Sequence, residues 1–129
     1  MGQDGTKQIG AVTWRDLTVD DAKNVANFYR RVVGWESSEQ DMGGYSDFNM
    51  NLPGSEQTVA GICHARGSNA KLPPQWLIYI TVENVEKSAG RCVELGGEVI
   101  DGPRKMGGGQ FCVIRDPAGA VAALYSESA

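Results

Sequence analysis

Residues 76–97 read WLIYITVENVEKSAGRCVELGG, and this stretch decides the fold class. WLIYITV (76–82) is a short apolar run rich in β-branched and aromatic residues, the composition of a buried strand. Asn84 can then accept from the free N–H groups that open a helix. Apolar Val85, Ala89, Cys92 and Leu95 recur at helical spacing, and Gly96-Gly97 ends the run. The spacing predicts a helix over 85–95. The same order occurs 63 residues earlier: Thr18-Val19-Asp20 matches Thr81-Val82-Glu83, Ala26 matches Ala89, and Gly34 matches Gly97. Val59-Ala60-Gly61-Ile62 resembles Val121-Ala122-Ala123-Leu124 at an offset of 62. Such near-constant offsets indicate a duplicated unit.

Working outward, AVTWRDLTV (11–19) alternates as a strand. Asp20 and Asp21 supply a cap and first-turn negative charge for a helix over 21–33. Its apolar stripe is Ala22, Val25, Ala26, Tyr29, Val32 and Val33, and Gly34 stops it. Turn signals at Met42-Gly43-Gly44 and Leu52-Pro53-Gly54 divide the next stretch into strands near 35–39, 44–50 and 57–64. After a linker at 65–75, the second copy continues with strands near 98–101, 110–115 and 120–126. Asp116-Pro117-Ala118-Gly119 is the turn of a closing hairpin. Each copy therefore reads β-α-β-β-β, giving an α+β fold of two modules, about 10–64 and 76–127, within one domain. One copy covers a single sheet face with its helix; two copies can curl their sheets around a shared cup.

Composition sets outer limits. The chain has 129 residues, 41% hydrophobic and 22% charged, as in ordinary globular proteins. Twelve Lys+Arg against sixteen Asp+Glu gives a net charge of −4, which disfavours nucleic acid and anionic membrane as partners. The polar first ten residues are expected to form a mobile arm, with neither the h-region of a secretory signal nor an apolar run of membrane-spanning length. Three cysteines without CxxC spacing exclude a disulfide framework or cysteine-rich zinc site, and make a reducing, cytoplasmic compartment the expectation.

Four segments carry a family resemblance: Phe28-Tyr29-Arg30-Arg31-Val32-Val33-Gly34-Trp35, Tyr79-Ile80-Thr81-Val82-Glu83-Asn84-Val85, Glu94-Leu95-Gly96-Gly97 and Asp116-Pro117-Ala118-Gly119. In this order on a β-α-β-β-β repeat, the chain resembles the glyoxalase/bleomycin resistance/extradiol dioxygenase (vicinal oxygen chelate) superfamily over residues 10–127. The resemblance implies paired modules with an open, cupped sheet, and a homodimer. It also implies metal ligands, His or Glu, on the first and last strand of each module. Those positions fall on Trp14, Gly61, Leu77 and Ala123, none of which is a donor for a divalent ion, so no metal and no cofactor are expected. The single histidine, His64, lies on the opposite strand face from Gly61 by parity, and its ordinary reading is an edge histidine contacting water.

Strand parity places Trp14, Asp16, Gly61, Cys63, Leu77, Tyr79, Val121, Ala123 and Tyr125 toward the cup. Rings beside Gly and Ala compose an apolar slot, although the same rings can instead fill a closed core. The expected ligand contacts are Trp14, Asp16, Cys63, Leu77, Tyr79 and Tyr125. Asp16, facing inward beside tryptophan, needs a partner. That partner is either a ligand donor or a cation such as Arg15, Lys105 or Arg115. Gly107-Gly108-Gly109 lacks the context of a phosphate cradle and reads as a flexible loop. Cys63 reads as a buried thiol, Cys92 as core, and Arg30-Arg31 as a solvated face.

The leading expectation is a small-molecule-binding protein of the bleomycin-resistance type, holding a partly apolar ligand without metal. The alternatives are a lyase, isomerase or dioxygenase with relocated metal ligands or with metal-free acid–base chemistry on Asp16 and a tyrosine, and a structural subunit with a filled cup. No catalytic residue is assigned.

Overall fold

The computed structural model describes residues 8–127, so the expected N-terminal arm lies outside the described residues except for its last three. The elements are β1 (Val12–Val19), α1 (Ala22–Val33), β2 (Glu36–Asp41), β3 (Ser46–Asn51), β4 (Thr58–His64), β5 (Trp76–Thr81), α2 (Val85–Glu94), β6 (Glu98–Met106), β7 (Gly109–Arg115) and β8 (Val121–Glu127). A single 3-10 turn, Gly67–Asn69, interrupts the linker. These segments fall into two compact units, Trp14–Trp76 and a second comprising residues 8–13 with 77–127.

The first unit has strand order β2-β3-β4-β1, with β1 and β4 parallel and the other pairs antiparallel. In the second, β6-β7-β8-β5 repeats that order, with β5 parallel to β8. The registers match too: Asp16 lies opposite Gly61, and Tyr79 opposite Ala123. The repeat read from the sequence is thus a repeat of strand register. Residues 10–13 complete the second unit, where Gly10 N–H donates to the Thr81 carbonyl at 2.7 Å and Thr81 N–H to the Ala11 carbonyl at 2.9 Å.

Both helices start on the expected caps, but α1 carries no acidic residue in its first turn because both aspartates precede Ala22. Asp21 caps α1 by accepting from Asn24 N–H at 3.2 Å, while Asp20 lies ahead of the cap. Gly34 ends α1 at φ 92°, a conformation that side chains with a Cβ resist. Asn84 caps α2 through Lys87 N–H at 3.0 Å. In the first unit, Leu17, Ala22, Ala26, Met50, Ala60 and Ile62 form the core between helix and sheet; in the second, Val85, Ala89, Cys112 and Leu124 do so. Odd residues of β1 and even residues of β4 join the core, so Trp14, Asp16, Gly61 and Cys63 occupy the sheet face away from α1.

Three local expectations change. The stripe of α1 ends early: Val32 and Val33 are exposed, as is Leu95 just past α2. Val32 and Val33 fall in the last turn of α1, and Leu95 lies past the end of α2. Strand β6 runs to Met106 instead of ending near 101, because register shifts around Gly102-Pro103 absorb the residues that would break the ladder. Gly107-Gly108 then forms the tight turn that returns the chain to β7, with Met106 opposite Gly109.

Candidate functional site

On the helix-free face of the first unit, β1 and β4 bring four expected residues together. The Trp14 indole Nε1–H donates to Asp16 Oδ1 at 2.8 Å, within one strand and across one intervening residue. Alternation makes this possible, since residues i and i+2 share a face. Gly61 lies beneath the pair. A Cβ built there would sit 3.0 Å from Asp16 Oδ1 and 3.5 Å from Trp14 Cζ2. The glycine therefore leaves room for the indole–carboxylate contact against the sheet.

The indole is one partner of Asp16, outside the expected set of a ligand donor, Arg15, Lys105 or Arg115. Arg15 instead donates to the Val59 carbonyl at 2.9 Å, and Arg115 pairs with Glu98 at 2.9 Å. Parity explains the first case: Arg15 is one residue off the face that carries Asp16.

Cys63 follows Gly61 on the same face and is half-buried. Burial pushes its thiol pKa well above the usual range, with the charges of Asp16 and Asp47 and a hydrogen bond to Asp47 adding to the effect. It stays protonated near neutrality and is a poor nucleophile.

Asp47 was absent from the sequence-based candidates. Its strand reads SDFNMN, with Phe48 packed against and Met50 within the core on the α1 side, so alternation sends Asp47 and Asn49 to the Trp14–Cys63 face. That parity was legible. Asp47 is buried, and its Oδ1 accepts from the His64 backbone N–H at 2.9 Å and lies 3.3 Å from His64 Nδ1. His64 is therefore a half-buried histidine partnered by Asp47. Tyr45 meets it edge-on at 5.5 Å, and the Arg66 guanidinium stacks 4.0 Å over Tyr45.

The second unit gathers the remaining candidates on its own helix-free face. Leu77 and Ala123 are fully buried, and Tyr79 is 4% exposed. Tyr79 stacks on Phe111 with centroids 6.3 Å apart. Arg104 covers Phe111 at 4.4 Å while pairing with Asp101 at 2.9 Å. Tyr125 lies opposite both Thr81 and Phe111 in the ladder and is half-buried.

The metal implied by the family resemblance does not fit the residues at its expected positions. Trp14 and Gly61 offer no donor; Leu77 and Ala123 are enclosed hydrocarbon. The adjacent carboxylate, Asp16, already accepts from the indole. Among the described residues no group of three or more His, Cys, Asp or Glu is placed to hold a metal ion. Nor, among them, is any helix long and apolar enough to cross a membrane.

CFP32 of Mycobacterium tuberculosis (strain CDC 1551 / Oshkosh), which carries a provisional glyoxylase designation, is 29% identical over 118 residues, 90% of this chain and 45% of that protein. The anthracycline biosynthesis protein DauV of Streptomyces sp. (strain C5) is 29% identical over 119 residues, 92% of this chain and 42% of its own length. The chain spans less than half the length of these curated relatives. Methylmalonyl-CoA epimerase from M. tuberculosis has a TM-score of 0.57 at 14% identity, covering 96% of this chain and 92% of its own, which shows a shared fold. The family model for the Glyoxalase/Bleomycin resistance protein/Dioxygenase superfamily matches residues 8–124. With that match spanning both β-α-β-β-β units, the chain belongs to the glyoxalase/bleomycin resistance protein/dioxygenase superfamily.

Proposed function

We propose that this chain binds a small, partly apolar molecule on the helix-free face of its first unit, without a resident metal. The observation that carries the reading is the Trp14 indole held 2.8 Å from Asp16 above Gly61. A fixed indole offers a flat surface for stacking, and a carboxylate has several acceptor sites, so Asp16 can also receive a ligand amine or hydroxyl. Stacking contributes on the order of 1 kcal/mol per ring beyond burial, and a charge-assisted hydrogen bond about 1.5–3 kcal/mol. Added to burial of the ligand's apolar surface, those terms suit micromolar affinity. Cys63, kept as a neutral thiol, contributes soft contact surface instead of chemistry. The anthracycline-biosynthesis designation of DauV supports a planar, polycyclic ligand.

Leu77, Tyr79 and Tyr125 are proposed as further contact surface on the second unit, with Tyr125 the more accessible. The proposal extends to one functional domain, acting as a homodimer in the cytoplasm; three free cysteines support a reducing compartment. A sedimentation mass near 13.8 kDa at micromolar concentration would count against the dimer.

The test is Trp14→Ala, with melting temperature measured with and without anthraquinone-type and other planar polycyclic compounds, beside native mass spectrometry of co-purified molecules. The expected result is a ligand-dependent rise in the parent protein that the variant loses while staying folded. A collapsed variant, together with no ligand effect in the parent, would show that the ring fills a core.

A further inference from the structure

On the opposite, helix-bearing side of the first unit, a groove of about 700 Å³ opens between α1 and β2. This is within the range of small-molecule sites. One wall is a stripe of α1: Lys23, Asn27 and Arg30 stand at i, i+4 and i+7, so the two long cationic side chains leave the helix from positions roughly 10 Å apart along its axis. Among the described residues neither has an ion-pair partner. The floor is aromatic, from Phe48 and Trp35. Trp35 is held rigid by Tyr29 at 5.9 Å and by Trp76 at 6.0 Å, and Trp76 donates to the Tyr29 hydroxyl at 3.0 Å.

The other wall is β2, the outer strand of its sheet. Met42 N–H donates to the Tyr45 carbonyl at 2.8 Å, which fixes which β2 residues bond inward. In an antiparallel ladder the bonded pairs alternate, so Gln40, Ser38 and Glu36 turn their backbone groups to β3. Ser37 and Glu39 then present N–H and C=O outward, and both line the groove. The Glu39 carboxylate has no ion-pair partner among the described residues. The groove thus sets unpaired cations, an unpaired carboxylate, a free strand edge and an aromatic floor around one volume.

We propose that this groove binds a short free peptide, two or three residues long, with an aromatic side chain. Its terminal carboxylate meets Lys23 and Arg30, its ammonium meets Glu39, its backbone pairs with the free edge at Ser37 and Glu39, and its ring lies on Trp35 and Phe48. A groove of about 700 Å³ has room for a ligand of this size. Strand addition supplies backbone affinity without sequence demand, and the aromatic floor supplies selectivity. A second copy of the chain is a poor occupant of this edge, because β2 carries Glu36, Glu39 and Asp41, and two such strands would oppose like charges.

The test uses the tripeptide Ala-Phe-Ala in three forms: free, N-acetylated and C-amidated. Binding is read by amide and indole resonances and by calorimetry. The free form is expected to bind saturably and to shift Ser37, Glu39 and Trp35. Acetylation is expected to weaken binding at least fivefold in the parent but not in Glu39→Gln. Amidation is expected to do the same in the parent but not in a Lys23→Gln, Arg30→Gln double variant. All three side chains are exposed, so these variants should keep the fold. Equal binding of the three forms, or no binding at about 10 mM, overturns the proposal, since that affinity is too weak for recognition. Shifts confined to Trp14 and Cys63 also overturn it, by placing the peptide on the other face of the sheet. The Trp14→Ala variant should bind the peptide normally, so this site and the Trp14 site fail separately.

Discussion

Gly61→Ala tests the architecture of the Trp14–Asp16 contact most directly. The glycine has no left-handed backbone, so alanine introduces no φ strain and should itself favour the strand by about 0.5–1 kcal/mol. Against that, the new methyl would sit 3.0 Å from Asp16 Oδ1, inside ordinary contact distance, and 3.5 Å from the indole. The carboxylate must yield by a few tenths of an ångström, stretching the 2.8 Å bond toward the ~3.2 Å limit of good N–H···O geometry. Complete loss of a charged hydrogen bond costs about 1.5–3 kcal/mol, and water at this half-buried site restores part of it. The expected net change is a loss of about 1 kcal/mol, or a melting temperature lower by ~3–6 °C for a chain of this size. The indole N–H proton of Trp14 should move upfield as its acceptor retreats. A raised melting temperature with that resonance unmoved would refute the reasoning, because the glycine would then not be making room for the pair.

Three further outcomes follow from contacts already described. Asp47→Ala should cost about 2–3 kcal/mol, because the His64 N–H and the Cys63 thiol both lose their acceptor; urea denaturation measures it. The same variant should alkylate faster at Cys63, whose thiol loses one of the charges that hold it protonated. Gly109→Ala should destabilise by about 3 kcal/mol or more, since an added methyl collides with the Ser126 carbonyl and lies 2.6 Å from the Tyr125 hydroxyl; thermal denaturation would show otherwise if the β7–β8 ladder can shift. Stability should also fall in alkali. Burial pushes the Cys112 thiol up to about 11, with Cys92 and Asp101 contributing, and Cys63 is shifted the same way. The folded state therefore keeps protons that the unfolded chain releases from pH ~9, so this stabilisation is complete below pH 9 and declines as pH rises toward 11. A parent melting temperature that does not fall across that window would refute the prediction, and an equal fall in a Cys63→Ala, Cys112→Ala variant would assign the loss to other groups.

Much of the fold was legible because the sequence repeats its own punctuation. Thr18-Val19 and Thr81-Val82 mark equivalent strand ends, Gly34 ends α1, and the 63- and 62-residue offsets return as the Asp16–Gly61 and Tyr79–Ala123 pairings. Half of the candidate site was legible for the same reason: parity alone put Trp14, Asp16, Gly61 and Cys63 on one face. What stayed hidden was partner choice. A carboxylate beside an arginine in sequence is one face away from it in a strand, so Arg15 could not serve Asp16, whereas Trp14 could. Asp47 and His64 meet through β3–β4 pairing, a contact between residues 17 apart that no local pattern announces. The length of β6 was hidden as well, since the ladder continues past the expected end near 101 through register shifts around Gly102-Pro103.

The placement of the tryptophans gives the molecule an optical asymmetry. Trp14, Trp35 and Trp76 all belong to the first unit, and the second has no indole. Intrinsic fluorescence excited at the red edge therefore watches only half of the chain. Within that half, Trp35 and Trp76 cross at 75° with centroids 6.0 Å apart, close enough for their excited states to mix and give a split circular-dichroism band. Trp14, bonded to a carboxylate, emits separately from them. Denaturation followed by emission, by the split band and by backbone ellipticity would time the first repeat against the whole chain, without a label on either.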